Sequence, residues 1–535
     1  MQEVPTDRGA MNLEKSLPPI RTLADISRVH ASVHPERRAL AFEERITTYA
    51  ELDARASQVA QALMAHGLGP GDRIAHLGKN TDLYYELLLG AAKAGVVMAP
   101  VNWRLSPQEA QYIVTDCEAR LLFIGPEFID KAAAYAPSAR ACDIIGMEAP
   151  YQGREYIEWR DAQRAALDPH LPIPIEAPAI QLYTSGTTGH PKGAVLTHEN
   201  FSHMPASELH PWSQWDADDV SLAAMPCFHI GGTGWAILGL NHGALNVVMR
   251  EFDPARVLDM IERWRISKLF LVPAAMQLVV RQPRAREVDY SRLKYLMYGA
   301  SPMPPALLCE CMDVFGCGFV QLYGMTETTG SVTALGPEDH DRDGNKRMNS
   351  AGKPLPGVEV AILDEDGRRL PAHAVGEVAI RSPTNMLGYW KLAEATAKTI
   401  GEDKWLRTGD AGYLDEDGYL YIHDRVKDMI ISGGENIYPA EVEKAIFGHP
   451  DVADVAVIGV PSEHWGEEVK AIIVPRPGAA PDPGSIISWA RERIAPYKAP
   501  KSVDFIEALP RNASGKILRR ELRAPYWKGR ERNVS

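Results

Sequence analysis

YAELDARASQVAQALMAHGLGPGDRIAHLG, running from Tyr49 to Gly78, decides the architecture. A helical pattern runs up to Gly67, a Pro/Gly turn follows, and the residues after the turn have a strand pattern. The alternation repeats through LLLGAAKAGVVMAPVNW, Leu87 to Trp103. Helix and strand in strict alternation specify an α/β protein. From about Ile180 to Gly330 the same alternation continues, with Gly-rich loops inserted between apolar strands, and loops at strand ends are where α/β folds place ligands. After Gly352 the pattern changes to short strands: VEVAILDEDGRRL and GYLDEDGYLYI each set Asp-Gly between alternating residues, the signature of a hairpin turn. Asp415, Asp417 and Gly418 lack the further oxygen ligands and closing Glu of a calcium loop, so they are read as a turn. A final α+β unit begins near Asp424, with strands in VADVAVIGV and EVKAIIV and a helix through SIISWARERI. The expected division is residues 1–424, large and α/β with a β-rich portion, and 425–535, small and α+β.

At 535 residues the chain exceeds one ordinary core. The early charges Glu3, Asp7 and Arg8 argue against a signal peptide. The apolar run from Leu87 to Val101 is broken by Lys93 and Pro100, which excludes an integral membrane segment and gives a cytoplasmic expectation. A formal net charge of −13 argues against nucleic acid as a partner. Six cysteines are too sparse for a disulfide framework. The cluster Cys309, Cys311 and Cys317 lacks a second ligand pair, so buried thiols are expected rather than zinc.

The most informative segment chemically is YTSGTTGHPKGAVLTH, Tyr183 to His198. Its hydroxyls Thr184, Ser185, Thr187 and Thr188 and its glycines, Gly186 among them, suit a loop that wraps phosphate oxygens, with Lys192 adding charge. It is not a Walker A loop, because Gly193 rather than Ser or Thr follows Lys192.

This loop, together with QLYGMTET (Gln321 to Thr328), RTGD (Arg407 to Asp410), DRVKDMIISGGENIYPAEVE (Asp424 to Glu443) and PRNASGKILRRELR (Pro510 to Arg523), closely resembles the superfamily of acyl-CoA synthetases, adenylation domains and firefly luciferase. The resemblance spans nearly the whole chain. It implies an AMP-forming fatty-acyl- or aryl-CoA ligase with ATP, Mg2+ and coenzyme A as cofactors and substrates, acting on a small carboxylic acid. A homodimer is compatible with it.

Residue by residue, the resemblance implies that Tyr323 stacks on adenine beside Gly324, that Thr326 contacts the α-phosphate, and that Glu327 holds the metal. It gives Asp410 the ribose hydroxyls and places Arg425, Ala300 and Ser301 near the nucleotide. Lys516 would bridge the acid carboxylate to the α-phosphate. Lys427 would be the hinge of a mobile C-terminal domain, and after rotation Gly433, Gly434 and Glu435 would line the passage for the pantetheine arm. His229 would stand near the carboxylate, with Gly231, Trp235 and Leu238 on one helical face and Gly299 completing an apolar acid pocket. The lack of an Asp near His229 argues against amino-acid substrates, whose buried ammonium would need a counter-ion. Loading of a carrier protein and a luciferase-like oxygenation are the alternatives; no appended carrier domain is visible.

Overall fold

The computed structural model describes residues 18–136, 142–163, 167–184, 190–204, 210–216, 218–425, 428–432, 435–462, 465–511 and 516–528, the side chains of residues 424 and 425 excepted. The stretch that opened the sequence reading folds as its pattern dictates. Tyr49–Ala65 is a helix whose first turn is closed by reciprocal Thr48 and Glu51 bonds. Gly67 leaves it at φ 75°, a conformation that costs glycine nothing, and Arg73–Leu77 is the strand that follows.

Among the described residues the strands form four sheets. A nine-stranded sheet carries parallel strands at its centre, including Val220–Ala223, Lys268–Leu271, Tyr295–Gly299 and Gly318–Met325. A seven-stranded sheet centres on Arg73–Leu77, Val97–Val101 and Pro178–Thr184, and ends in an antiparallel pair made by Lys192–Thr197 and the short edge strand Gly388–Tyr389. A four-stranded antiparallel sheet contains Glu359–Leu363, Gly376–Arg381, Leu406–Leu414 and Leu420–Arg425. The last sheet, of five strands, is built around Val452–Ser462 and Gly466–Pro475. The α/β expectation and the β-rich portion are both borne out.

The two Asp-Gly turns behave differently. Asp415 accepts from the backbone N–H of Asp417 and Tyr419 at 3.1 and 2.9 Å, closing a tight hairpin between Leu406–Leu414 and Leu420–Arg425. Around Asp366-Gly367 the returning chain makes only a single bridge, Leu363 to Arg369, and the true antiparallel partner of Glu359–Leu363 is Gly376–Arg381. The Leu370 N–H still donates to the Ile362 carbonyl at 2.8 Å, and the chain leaves the pairing at Pro371. Among the cysteines, Cys311 is buried while Cys309 and Cys317 are half-buried, and all are free thiols.

The apolar run around Lys93 is helix Asp82–Ala94 followed by strand Val97–Val101, both buried. Lys93 itself is fully buried, and its ammonium reaches Asp53 at 2.5 Å, Asp168 at 2.6 Å and the Ser57 hydroxyl at 3.0 Å. A buried cation persists only with such partners. No helix among the described residues is long and apolar enough to cross a membrane.

A second buried group ties the first described helix, Leu23–Val33, to the short helix His198–Ser202 that follows the strand Lys192–Thr197. The Leu23 N–H donates to Nδ1 of His198 at 3.2 Å, and burial pushes the His198 pKa down to about 4. Protonation would destroy the acceptor. The unfolded chain takes up a proton near the ordinary value of 6.5, so stability is lost as pH falls from there towards about 4. Thermal melts across that range should show a steeper decline for the parent than for His198→Gln, which keeps an acceptor and does not titrate; parallel declines would remove His198 from the titrating set.

Candidate active site

Strands Pro178–Thr184 and Lys192–Thr197 pair with Thr184 opposite Lys192, so the two ends of the phosphate-loop motif stand side by side. Ser185, Gly186, Thr187 and Thr188 lie outside the described residues. Gly193 has a packing reason: a Cβ there would stand 2.6 Å from Gln181 Nε2 and 3.1 Å from the Tyr183 ring. The position that a Walker loop gives to a hydroxyl is sterically closed here.

Glu327 sits on a short turn, Thr326–Thr328, at the end of strand Gly318–Met325. Its carboxylate is buried and accepts from the Tyr389 hydroxyl at 2.8 Å and the Thr184 hydroxyl at 3.4 Å. The turn is pinned from three directions. The Thr328 hydroxyl accepts from the Met325 N–H at 3.0 Å, the Met386 N–H donates to the Glu327 carbonyl at 2.8 Å, and the Thr329 hydroxyl donates to the Thr384 carbonyl at 2.7 Å. The Lys192 ammonium lies 5.0 Å from the centre of the Tyr389 ring, a cation–π contact. Tyr389 belongs to none of the motifs that drew attention in the sequence. It reaches the site because the edge strand Gly388–Tyr389 pairs with Val195 and Ala194.

The other half of the site is joined by a second tyrosine. The Tyr323 hydroxyl donates to Asp410 at 2.7 Å. Asp410 is buried at the end of Arg407-Thr408-Gly409-Asp410, where Thr408 accepts from the Asp410 N–H at 3.0 Å and Glu377 accepts from Gly409 and Arg407. Arg425 stands opposite Asp410 in the ladder. Close backbone approach explains two glycines: a Cβ on Gly299 would stand 2.1 Å from the Leu322 carbonyl oxygen, and one on Gly324 would stand 1.8 Å from that of Gly330. Ala300, exposed beside half-buried Ser301, is held at φ 66°, a strained conformation for a residue with a Cβ.

His229 precedes the helix Ile230–Asn241. Its Nε2 is shielded from solvent with no hydrogen-bond partner among the described residues, and burial, assisted by the Arg104 cation, pushes its pKa down to about 4. A neutral imidazole with an unspent nitrogen is a polar contact for an incoming group. Gly231, Trp235 and Leu238 do share a face. A Cβ on Gly231 would stand 3.2 Å from the Phe270 ring, Trp235 packs 6.3 Å from that ring, and Leu238 packs against the same cluster. Trp235 is buried, and its indole N–H donates to the Leu222 carbonyl at 3.1 Å.

In the C-terminal part, Lys516 is half-buried next to the bridge pairing Arg511 with Ile517, and Glu435 is exposed at the start of strand Glu435–Ile437. Lys427, Gly433 and Gly434 and the side chain of Arg425 lie outside the described residues.

The donor set fits a hard divalent cation. Glu327 offers a buried carboxylate oriented by two hydroxyls, beside a motif suited to phosphate oxygens, and Mg2+ takes few protein ligands when phosphates supply the rest. The three acids Asp216, Asp218 and Asp219 also lie close together. They are engaged by Lys268, Lys294 and Arg292, an ion-pair network rather than a metal centre.

Known proteins resemble this chain over most of its length. A family model described as AMP-binding enzyme matches residues 27–390, and one for the AMP-binding enzyme C-terminal domain matches 441–516. The fatty acid–[acyl-carrier-protein] ligase ScoC of Streptomyces coeruleorubidus is 42% identical over 97% of this chain and 99% of its own. A feruloyl-CoA synthase of an Amycolatopsis species is 38% identical over 93% of this chain and 97% of its own. The crystal structure of ATP-bound MatB from Rhodopseudomonas palustris superposes with a TM-score of 0.85 at 31% identity, covering 94% of this chain and 99% of that one.

Because Tyr389 orients the carboxylate that fits the metal, Tyr389→Phe should raise the magnesium concentration needed for half-maximal rate by about tenfold, the usual scale for an outer-sphere partner. Glu327→Gln should lose activity at every magnesium concentration while melting near the parent. A magnesium titration of both variants checks this; parental curves would detach Tyr389 and Glu327 from metal binding.

Proposed function

The chain belongs to the AMP-binding enzyme family, and from that premise we propose that it joins a hydrophobic carboxylic acid to coenzyme A through an acyl-adenylate. It is an ATP-dependent, AMP-forming acid–thiol ligase. The observation that carries the assignment of roles is the pair of tyrosine bonds, Tyr389 to Glu327 and Tyr323 to Asp410, which bring the phosphate-loop root, the metal carboxylate and the ribose carboxylate into one place.

In the first half-reaction a carboxylate oxygen of the acid attacks the α-phosphorus of ATP, the bond to the β-phosphate oxygen breaks, and pyrophosphate leaves. Mg2+ bound at Glu327 would neutralise charge on phosphate oxygens. Lys192, with the hydroxyls and N–H groups of its loop, holds the triphosphate, and Thr326 orients the α-phosphate. Tyr323 presents its ring to the adenine while Asp410 accepts from the ribose hydroxyls. Neutral His229 offers its free nitrogen to the acid. Lys516 supplies the charge that lets carboxylate and α-phosphate approach.

In the second half-reaction the thiol sulfur attacks the acyl carbon, the carbon–oxygen bond to AMP breaks, and the thiol proton passes to solvent. Exclusion of water in the first step and admission of a thiol in the second are reconciled by rotation of residues 425–535 about Lys427, with Gly433, Gly434 and Glu435 then lining the thiol's path.

The wall formed by Gly231, Trp235, Leu238 and Phe270 is apolar, which favours fatty or aryl acids. Relatives named for feruloyl, indoleacetate and long-chain fatty acids support that class. ScoC, named for transfer to an acyl carrier protein, supports a second reading of the acceptor.

Pyrophosphate release across fatty and aryl acids, followed by thioester formation with free coenzyme A or with a phosphopantetheinylated carrier protein, decides between them. Coenzyme A is the expected acceptor, and efficient transfer only to the carrier protein would replace it. The same assays separate the half-reactions. Lys516→Ala should lose adenylate formation by about a hundredfold or more yet convert supplied acyl-AMP to thioester. Lys427→Pro should do the reverse. Proportional loss of both activities in both folded variants would end the two-conformation account.

A further inference from the structure

The helix Pro107–Asp116 belongs to none of the motifs, yet its last residue is bonded to both segments that orient Glu327. The Asp116 carboxylate accepts from the Tyr183 hydroxyl at 2.5 Å. The Asp116 carbonyl, one of those that a helix leaves without an internal partner at its C-terminus, accepts from the Trp390 indole N–H at 2.9 Å. Tyr183 is followed by Thr184, and Trp390 is preceded by Tyr389. Thr184 and Tyr389 are the two residues whose hydroxyls donate to Glu327, and both meet its Oε1, so together they set which way Oε2 turns. Tyr183 and Thr184 are neighbours on one strand and point to opposite faces, so anchoring the first on the helix side fixes the second on the Glu327 side.

Each attachment is held in one geometry. Gln181, buried two residues before Tyr183 on the same strand, donates from Nε2 to the Tyr183 oxygen at 2.9 Å. Burial, reinforced by Cys117 and Asp116, pushes the Tyr183 phenol far above its ordinary range, so Tyr183 stays the donor to Asp116. Trp390 is held on two further sides: the Arg73 guanidinium lies 3.5 Å from the centre of its ring, and its backbone N–H donates to the Gly193 carbonyl at 2.8 Å. One turn back along the helix, Tyr112 stacks on His190 with ring centres 4.5 Å apart, and His190 stands two residues before Lys192. Residues four apart share a helix face. One face of this helix therefore touches the outgoing and the returning end of the phosphate-loop motif and the chain that carries Tyr389.

We propose that Asp116 is a positioning residue for the metal carboxylate: by holding Tyr183 and Trp390 it fixes the Thr184 and Tyr389 hydroxyls, and through them the direction in which Glu327 meets a magnesium ion on the triphosphate. The proposal rests on the acid–ligase reading and deepens it by naming a residue that acts on metal binding through others. A brace that only joined the helix to the sheet would leave the metal's own contribution to nucleotide binding untouched.

Calorimetry of ATP binding to the full-length enzyme in the absence of any acid, with and without Mg2+, measures the gain in ATP affinity that the metal supplies. Tyr183→Phe keeps the ring and removes only the hydroxyl, Asp116→Ala removes the acceptor, and Asp116→Asn keeps an acceptor oxygen; each variant is first checked by thermal melt. In Tyr183→Phe and Asp116→Ala the metal-dependent gain should fall by about tenfold, the scale for partners outside the coordination shell, with the metal-free affinity as in the parent. Asp116→Asn should recover most of the gain. The double variant Asp116→Ala, Tyr183→Phe should be no worse than either single one, since both remove the same bond. A parental gain in either folded single variant overturns the proposal. An equal loss of ATP affinity with and without the metal overturns it in favour of a structural brace. A parent enzyme that binds ATP in neither condition fails the ligase reading itself and the proposal with it, which separates that failure from a failure at Asp116 alone.

Discussion

Setting a carboxylate against a triphosphate forces like charges together, and the structure is organised around that repulsion. Charge has to be met by groups fixed beforehand, because groups that reorganise during the reaction return much of what they gain. Two phenolic hydroxyls perform the fixing. Tyr389, on the edge of the seven-stranded sheet, holds Glu327 at the end of a strand of the nine-stranded sheet. Tyr323, on that same strand, holds Asp410 of the four-stranded sheet. Each bond joins one sheet to another, so the site lies where three sheets meet.

This dependence explains the glycines and the strained backbone around the site. Gly299 and Gly324 let neighbouring strands approach to distances that a side chain would forbid, and Ala300 accepts a left-handed conformation directly after Gly299. Around Tyr323 the site is thus made of backbone brought close, and beside His229 a helix carries glycine at Gly231 and Gly234, where a Cβ would stand 3.2 Å from its neighbours.

Much of this was legible in the sequence because the signals are local. Helix and strand alternation from Tyr49 to Gly78, the strand–loop–strand frame of the phosphate loop and the Asp415–Gly418 turn each depend on residues a few positions apart, and each forms as read. Tyr389 was not legible, since only the pairing of a two-residue strand with Val195 and Ala194 carries it to Glu327. The second Asp-Gly turn closes as read, but its arms pair only at Leu363 and Arg369, because Glu359–Leu363 takes Gly376–Arg381 as its full partner, a long-range choice that the turn does not encode. Trp235 was correctly placed on a face with Gly231 and Leu238. Its bond to Leu222 and its packing on Trp215 are long-range facts that periodicity does not encode.

In the proposed reaction the acid's own oxygen attacks the α-phosphorus, and no phosphate is passed through any other group. A carboxylic acid labelled with heavy oxygen at both carboxylate positions, turned over once with ATP and coenzyme A, tests it directly by mass spectrometry of the products. The account predicts one labelled oxygen in the phosphate of AMP and none in pyrophosphate. Unlabelled AMP, or label appearing in inorganic phosphate, would contradict it.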